Sequence, residues 1–346
     1  MHITGELAAR RPRRLLASLA LLGAGAVLVS ACGSSGGSSS SGGSPGTSST
    51  PVNVTIAQAS PVPDHEVPTV TEDAGIFKKY GINAKVELLT TGSEQMGALV
   101  SGQIQFLSIP APVPQLSAID DGQPMEEVAQ FEDSFDAMLV SQAKYPTIQS
   151  LNGATIAIST PGDFASLLCS YVEKQYGIKL KEVPIGPYPA QLAAFEAGQV
   201  DAIPALQPVQ LSTVQQKVKG MHMLVDFRKV KNVPAIEIVG YGPWLKAHKA
   251  TAIKVLEALN AGFTYYKNPA NEAFVVSVIE KETSDPAALA EASYKSVLLN
   301  MTPTIVPSVS DMQNMLSALT VESAKAGTFD ASKLVDASYA EAAVKQ

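Results

Sequence analysis

The sequence predicts an α/β protein built from two related lobes, and three observations carry that prediction. From Pro51 to Gly240, short β-branched runs alternate regularly with apolar stripes of helical spacing. About 295 residues follow position 50, too many for one ordinary core and comfortable for two lobes of ordinary domain size. The halves also echo each other: Ala98-Leu99-Val100-Ser101-Gly102-Gln103-Ile104 is matched by Ala194-Phe195-Glu196-Ala197-Gly198-Gln199-Val200, and Ile109-Pro110-Ala111 by Ile203-Pro204-Ala205. Each Gly stands where a helix should end, with a short β-branched strand after it. Any αβ unit reuses Gly at helix ends, but two matched segments at similar offset favour related lobes.

The first cycle opens with an alternating strand over Val52–Ala57. A helix over Glu66–Tyr80 is stopped by Gly81, and Ala84–Leu89 is a strand. Gly92-Ser93 opens a helix carrying Met96, Leu99 and Val100 on one face, ended by Gly102. Ile104–Ser108 is a short strand, after which Pro110 suits the first turn of a further helix. Val128–Phe131 and Ala137–Val140 are strands.

The second cycle starts with a strand over Ala154–Ser159. Thr160 suits an N-cap with Pro161 at the first helical position, and Asp163 then completes something close to a capping box. Phe164, Leu167, Leu168, Tyr171 and Val172 form one apolar stripe, and Gly177 stops that helix. Val183–Ile185 and Val200–Ile203 are strands around a helix over Ala190–Glu196; a helix over Val209–Lys219 leads to a strand over Met221–Val225. Alternation of this kind calls for largely parallel sheets. Beyond a strand at Ile236–Gly240 the pattern becomes helical: Pro243–Tyr266, Pro269–Lys281, Pro286–Leu299 and Val309–Ala326.

The amino-terminal region has a different character. Arg10, Arg11, Arg13 and Arg14 precede an apolar stretch, Leu15–Val29, too short and small-residue-rich for a secure membrane span. Val29-Ser30-Ala31-Cys32 follows, resembling the lipobox of bacterial lipoproteins, which implies a lipid on Cys32 and removal of residues 1–31 as a signal peptide. An ordinary secretory signal cleaved nearby is the alternative. Arg13-Arg14-Leu15-Leu16 has a faint twin-arginine character. Gly33–Thr50 is nearly all Ser and Gly and cannot bury enough apolar surface to order itself. As a coil it would span on the order of 23 Å, a tether.

Of 25 basic and 32 acidic residues, loss of the leader would take four Arg and Glu6, leaving a net charge of about −10. That balance argues against nucleic acid, and it offers no basic patch for anionic lipid, so membrane attachment would come from lipid on Cys32. With Cys32 lipidated no intrachain disulfide is expected, and Cys169, within an apolar helical stripe, is expected as a buried thiol.

Glu72-Asp73-Ala74-Gly75-Ile76-Phe77-Lys78-Lys79-Tyr80-Gly81-Ile82 is similar to an early segment of bacterial extracellular solute-binding proteins of the type II class, in the SsuA/NMT1-THI5-like branch. Gly92-Ser93, Ala98–Phe106, Leu151–Ala157 and Ala197–Ala202 continue the resemblance, which spans roughly Val52–Leu319. It implies two α/β lobes, each a mixed, mostly parallel sheet flanked by helices, joined by two crossover strands, with solute held between them. Here the crossovers would fall near Ser141–Pro146 and Lys231–Ile236, dividing the chain into a first lobe over 51–143, a second over 144–231, and a return to the first lobe, with the C-terminal helices, over 232–346.

Ligands in open α/β sheets bind beyond the carboxyl ends of strands, which singles out the loops there. The candidate ligand contacts are Gln58, Ser60, Gly92, Ser93, Ser108, Pro110, Phe131, Phe135, Thr160, Gly162, Asp163, Tyr188 and Pro204. Free N–H groups at the helix starts near Ser93 and Thr160 suit a carboxylate, sulfonate or phosphate; alternatively these residues only cap their own helices. An inward Asp163 favours a zwitterion, amine or heterocycle. Phe131, Phe135 and Tyr188 suit stacking on a ring, whereas Phe164 fits the core equally well. Glu132, Asp133 and Asp136 read as solvated surface, with one of them reaching the cleft as the alternative; His65, in the early loop after the first strand, reads as an exposed cap or surface residue, with ligand contact as the alternative.

His65, His222 and His248 show no metal-ligand spacing, and no G-x-S-x-G, P-loop or complete dinucleotide fingerprint is present. The expectation is therefore a non-enzymatic, lipid-anchored extracytoplasmic receptor, monomeric and without cofactor or metal. It would capture a sulfonate/taurine-like or thiamine-pyrimidine-like solute and deliver it to an ABC permease. An enzyme of the same fold in thiamine-pyrimidine synthesis, and a sensory surface lipoprotein, are the alternatives.

Overall fold

The computed structural model describes residues 51–110, 122–318 and 328–345. The expected leader, Cys32 and the Ser/Gly tether lie outside the described residues. So do the residues that would continue a helix from Pro110, and the part of the expected helix Val309–Ala326 beyond Ala318.

The strands are β1 (Val52–Gln58), β2 (Ile82–Leu88), β3 (Phe106–Pro110), β4 (Met125–Glu132), β5 (Met138–Ser141), β6 (Thr155–Ile158), β7 (Lys181–Pro184), β8 (Ala202–Leu206), β9 (His222–Asp226) and β10 (Ile236–Tyr241). They form two sheets with the orders β2-β1-β3-β10-β4 and β7-β6-β8-β5-β9. In each sheet four strands run the same way, and the fifth, β10 or β5, runs antiparallel to both strands beside it. That reversed strand is the one entering from the other sheet. The expected two-lobed, mixed and mostly parallel architecture is what forms, and the sequence echo lands on equivalent elements: Gly102 and Gly198 end the helices that feed β3 and β8.

The helices are α1 (Val67–Asp73), α2 (Ile76–Lys79), α3 (Gly92–Ser101), α4 (Phe164–Tyr176), α5 (Tyr188–Glu196), α6 (Leu211–Lys217), α7 (Gly242–Ala247), α8 (Lys249–Lys267), α9 (Glu272–Thr283), α10 (Ala287–Val297), α11 (Val309–Ala318) and α12 (Ser338–Val344). Val54, Ile56, Phe106 and Ile238 pack one face of the first sheet on Val70, Leu256, Leu259 and Phe263, while Leu107, Ile109 and Val239 pack the other on Leu99. The second sheet is covered by Leu168 and Val172 on one face and by Phe195 and Val214 on the other. Cys169 is buried in that core, as its apolar stripe predicts.

Several boundaries differ from the sequence pattern for identifiable reasons. The helix expected over Glu66–Tyr80 breaks into α1 and α2 because Gly75 takes φ 66°, a left-handed turn inside an otherwise continuous apolar stripe. The helix expected over Pro243–Tyr266 breaks at His248, whose ring Nδ1 lies 3.0 Å from the Trp244 carbonyl. α1 and α8 approach closely at Gly262, where a Cβ would stand 1.7 Å from Thr71 Oγ1. Pro110 closes β3 and pairs with Ile236. Pro204 is buried within β8, and the β5–β8 register slips across it, since proline has no N–H for the ladder.

The passage between sheets is also displaced. β5 pairs with β8 and β9, so the chain leaves the first sheet after Glu132 and enters the second at Met138, not near Ser141–Pro146. Local patterning registers strands but not their partners, and Met138–Ser141 is a strand in either assignment. The C-terminal helices do not all return to the first sheet: α11 packs on α4, and its Met315 belongs to the second sheet's core. Among the described residues, no helix is long and apolar enough to cross a membrane.

Candidate functional site

Parallel pairing gathers the carboxyl ends of β1, β2 and β3 at one edge, where Glu132 ends β4 and Ile236 begins β10. The matching edge of the second sheet holds the ends of β6, β7 and β8 together with Met138 and Asp226. Two crossing segments, 133–137 and 227–235, join these edges. The six Cα steps from Glu132 to Met138 reach at most about 21 Å, so the two carboxyl edges are held near each other.

The crossing segments are tied together. Val233 N donates to the Asp133 carbonyl at 3.3 Å, Ala235 N to that of Glu132 at 3.0 Å, and Phe227 N to that of Ala137 at 3.0 Å. Lys231 Nζ lies 3.0 Å from Asp133 Oδ1 and 2.7 Å from Ser134 Oγ. Asn300, just beyond α10, secures the first segment: Asp133 N donates to its backbone carbonyl at 3.0 Å, Ser134 Oγ donates to its Oδ1 at 2.9 Å, and its Nδ2 donates to Asp136 Oδ1 at 3.2 Å. Ser296 Oγ also donates to Asp136 Oδ1, at 2.8 Å. Burial pushes the Asp136 carboxyl up to about 6, against the pull of the Ser296 hydrogen bond.

At the first edge, Gln58 is buried and committed to the fold: Nε2 donates to the His65 carbonyl, and Oε1 accepts from Thr69 Oγ1 at 3.1 Å. Half-buried Ser60 meets His65 through its carbonyl, 3.2 Å from Nδ1. His65 is itself buried, contrary to the expectation of a surface role, and burial lowers its pKa while Asp64 opposes. Ser108 is fully buried in register with Gln58 and Ile238, its Oγ unpartnered. Gly92 and Ser93 are exposed in the first turn of α3, but the cap is Thr91, whose Oγ1 accepts from Glu94 N at 3.4 Å and donates to Glu94 Oε2 at 2.8 Å.

At the second edge, the cap of α4 is Asp163, not Thr160. Its Oδ1 accepts from Ser166 N at 2.9 Å and its Oδ2 from Ser159 N at 2.7 Å and Thr160 N at 3.2 Å. A carboxylate takes three N–H groups where a threonine hydroxyl would take one, so the helix starts three residues later. Thr160 and Gly162 are left exposed in the preceding turn. Tyr188 opens α5; its hydroxyl donates to Gln210 Oε1 and accepts from Gln207 N at 3.3 Å. Burial raises the Tyr188 pKa, so the hydroxyl stays protonated.

Two aromatic assignments are overturned. Phe131 is fully buried, stacked on Phe263 at 5.6 Å in the first core. Phe135 is 5% exposed and edge-on to Phe164 at 5.0 Å in the second. Both rings spend their surface on packing and present none to a ligand. Glu132 is likewise fully buried rather than solvated, with both carboxylate oxygens unpartnered, and burial followed by the Asp64 charge pushes its carboxyl well up.

Sequence reasoning passed over other groups at these edges. Ser159 Oγ donates to the Gly186 carbonyl at 3.0 Å, and Gln191 Nε2 donates to the same carbonyl at 2.9 Å while its Oε1 is unpartnered. Arg228 holds Asp226 through two 2.9 Å contacts at the foot of the second crossing segment. Only the position of these residues after strand ends could have marked them, since none belongs to a motif. Among the described residues, no group of three His, Cys, Asp or Glu is arranged to hold a metal ion. The two edges offer amides, hydroxyls and backbone groups suited to holding a polar solute.

Two sheets of the same strand order, joined carboxyl edge to carboxyl edge by two crossing segments, define the two-lobed periplasmic-binding-protein fold. Solved structures share it. A protein of Bordetella bronchiseptica RB50 aligns at 20% identity and TM-score 0.72, covering 85% of this chain and 97% of that one. The alkanesulfonate-binding protein SsuA from Xanthomonas axonopodis pv. citri, bound to MOPS, aligns at 16% identity and TM-score 0.65, covering 84% and 99%. The periplasmic nitrate-binding protein NrtA from Synechocystis PCC 6803 aligns at 13% identity and TM-score 0.67, covering 85% and 88%. None of the curated proteins matches this sequence. Residues 62–273 match the family described as NMT1/THI5 like, and the chain belongs to that family.

Proposed function

We propose that this chain is an extracytoplasmic receptor that captures a small organic solute between the carboxyl edges of its two sheets and hands it to an ABC permease. It works as a monomer, without turnover, tethered to the membrane by lipid on Cys32. The observation that carries the reading is the repeated strand order with both carboxyl edges tied to one pair of short crossing segments. Such a connection lets two bodies close about a hinge, and closure is driven by a solute that touches both. Relatives of the fold named for alkanesulfonate and nitrate binding support the reading.

The edges also favour one solute class. Both helix starts that would suit an anion carry their own carboxylate: Asp163 occupies the N–H groups of α4, and Glu94 stands in the first turn of α3. A thiamine-pyrimidine-like or amine-bearing solute suits this arrangement better than a simple sulfonate.

A thermal-shift screen over sulfonates, amino acids, pyrimidines and polyamines tests the proposal. A solute at about 100 times its Kd stabilises the native state by about 2.7 kcal/mol. It should also shrink the X-ray scattering radius, and it should be recovered unchanged. A tight-binding solute that leaves that radius unaltered, or that is consumed, would tell against the receptor reading. Mass spectrometry showing Cys32 unmodified in membrane-derived protein would sink the tether.

A further inference from the structure

Helix α11 stands on both bodies at once. Met312 and Leu316 are fully buried against Ala331, Leu334 and Val335. That turn is joined to the first sheet by backbone bonds, Glu127 N donating to the Leu334 carbonyl at 2.7 Å and Asp336 N to the Glu127 carbonyl at 2.9 Å. Ala331 N donates to Gln313 Oε1 at 3.1 Å, fixing α11 to the turn. Met315, 2% exposed, instead enters the apolar cluster of the second sheet that holds Leu168, Cys169 and Val172 of α4, and Lys174 Nζ of α4 donates to the Ser317 carbonyl.

In helical projection Met315 and Leu316 lie about 100° apart with Met312 between them, so a single apolar stripe is divided between two bodies. The attachments are unequal. Backbone bonds fix the turn to β4, and apolar contacts with the Gln313 bond fix α11 to the turn, whereas among the described residues Met315 and the exposed Lys174 join it to the second sheet. A relative movement of the sheets must therefore disturb the Met315 side first.

We propose that α11 is a strap that sets the balance between closed and open arrangements of the two sheets. Its seat on β4 persists, and Met315 docks into the second core on closure and leaves it on opening. The proposal rests on the reading of the chain as a two-lobed receptor whose sheets move, but its test needs no solute.

The experiment compares the full-length chain with Met315→Ala and Lys174→Ala variants by small-angle scattering and amide hydrogen exchange, all without added ligand. Met315→Ala should enlarge the scattering radius and speed exchange over residues 310–317 by about tenfold, with the β1–β3 amides unchanged. Lys174→Ala, a surface change, should speed the same amides by about threefold. If Met315→Ala fails to fold, Lys174→Ala decides alone. Unchanged α11 exchange in Lys174→Ala, or a Met315→Ala protein that melts earlier with radius and α11 exchange unaltered, overturns the strap. Strap behaviour in these variants alongside a failed solute screen would leave the strap standing and count against the receptor reading alone.

Discussion

Replacing Glu66 by glutamine should stabilise this protein, and the gain should grow with pH. Glu66 precedes α1, is fully buried, and neither carboxylate oxygen has a partner. Burial pushes its carboxyl from 4.5 up to about 8, and the charges of Glu282 and Asp64 add to the rise. The folded chain therefore holds this proton more tightly than the unfolded chain. Stability from this group is fully present below pH 4.5 and is lost as pH climbs toward about 8. At 1.36 kcal/mol per unit, the loss approaches about 5 kcal/mol above that range. Glutamine matches the neutral acid in shape and does not ionise. Glu66→Gln should equal the wild type within about 1 kcal/mol near pH 5 and exceed it by several kcal/mol at pH 8.5. Urea denaturation at pH 5, 7 and 8.5 reads this directly, as a midpoint shift at constant slope. A pH-independent difference between the two proteins, or a glutamine variant less stable at pH 8.5, would refute the reasoning.

Two further outcomes separate folding roles from solute contact. Asp163→Ala removes a helix cap and two further N–H bonds, about 3 kcal/mol together, and should lower Tm by roughly 5–10 °C while leaving a solute-induced shift intact; loss of the solute response with Tm unchanged would return Asp163 to the ligand. Phe131→Ala should cost about 3–5 kcal/mol in chemical denaturation without altering solute preference, since its ring lies wholly on Phe263 in the core; a changed preference at unchanged stability would contradict that placement.

Much of the fold was legible because it is local. The β-branched runs, the glycine helix stops and the echo ending at Gly102 and Gly198 each report on a few adjacent residues, and those elements form with boundaries shifted by up to about three residues. The site was legible only as a set of loops. Gln58 does lie at a strand end and Ser60 and Tyr188 beyond one, yet their polar groups are taken by His65, Thr69, Gln207 and Gln210, partners that the sequence does not rank. Phe131 and Phe135 flank a polar stretch and so looked like loop aromatics. The chain is crossing between two cores there, and each ring drops into one of them.

By itself the sequence determined the α/β class, the repeated halves and the helix stops, because hydrophobic periodicity and backbone permissiveness act over a few residues. Tertiary structure alone decided which sheet Met138–Ser141 joins, that Glu66 and Glu132 are buried, and that α11 rests on both bodies. Those outcomes depend on strand partners and on desolvation by residues up to hundreds of positions away, and no short window of sequence carries that information.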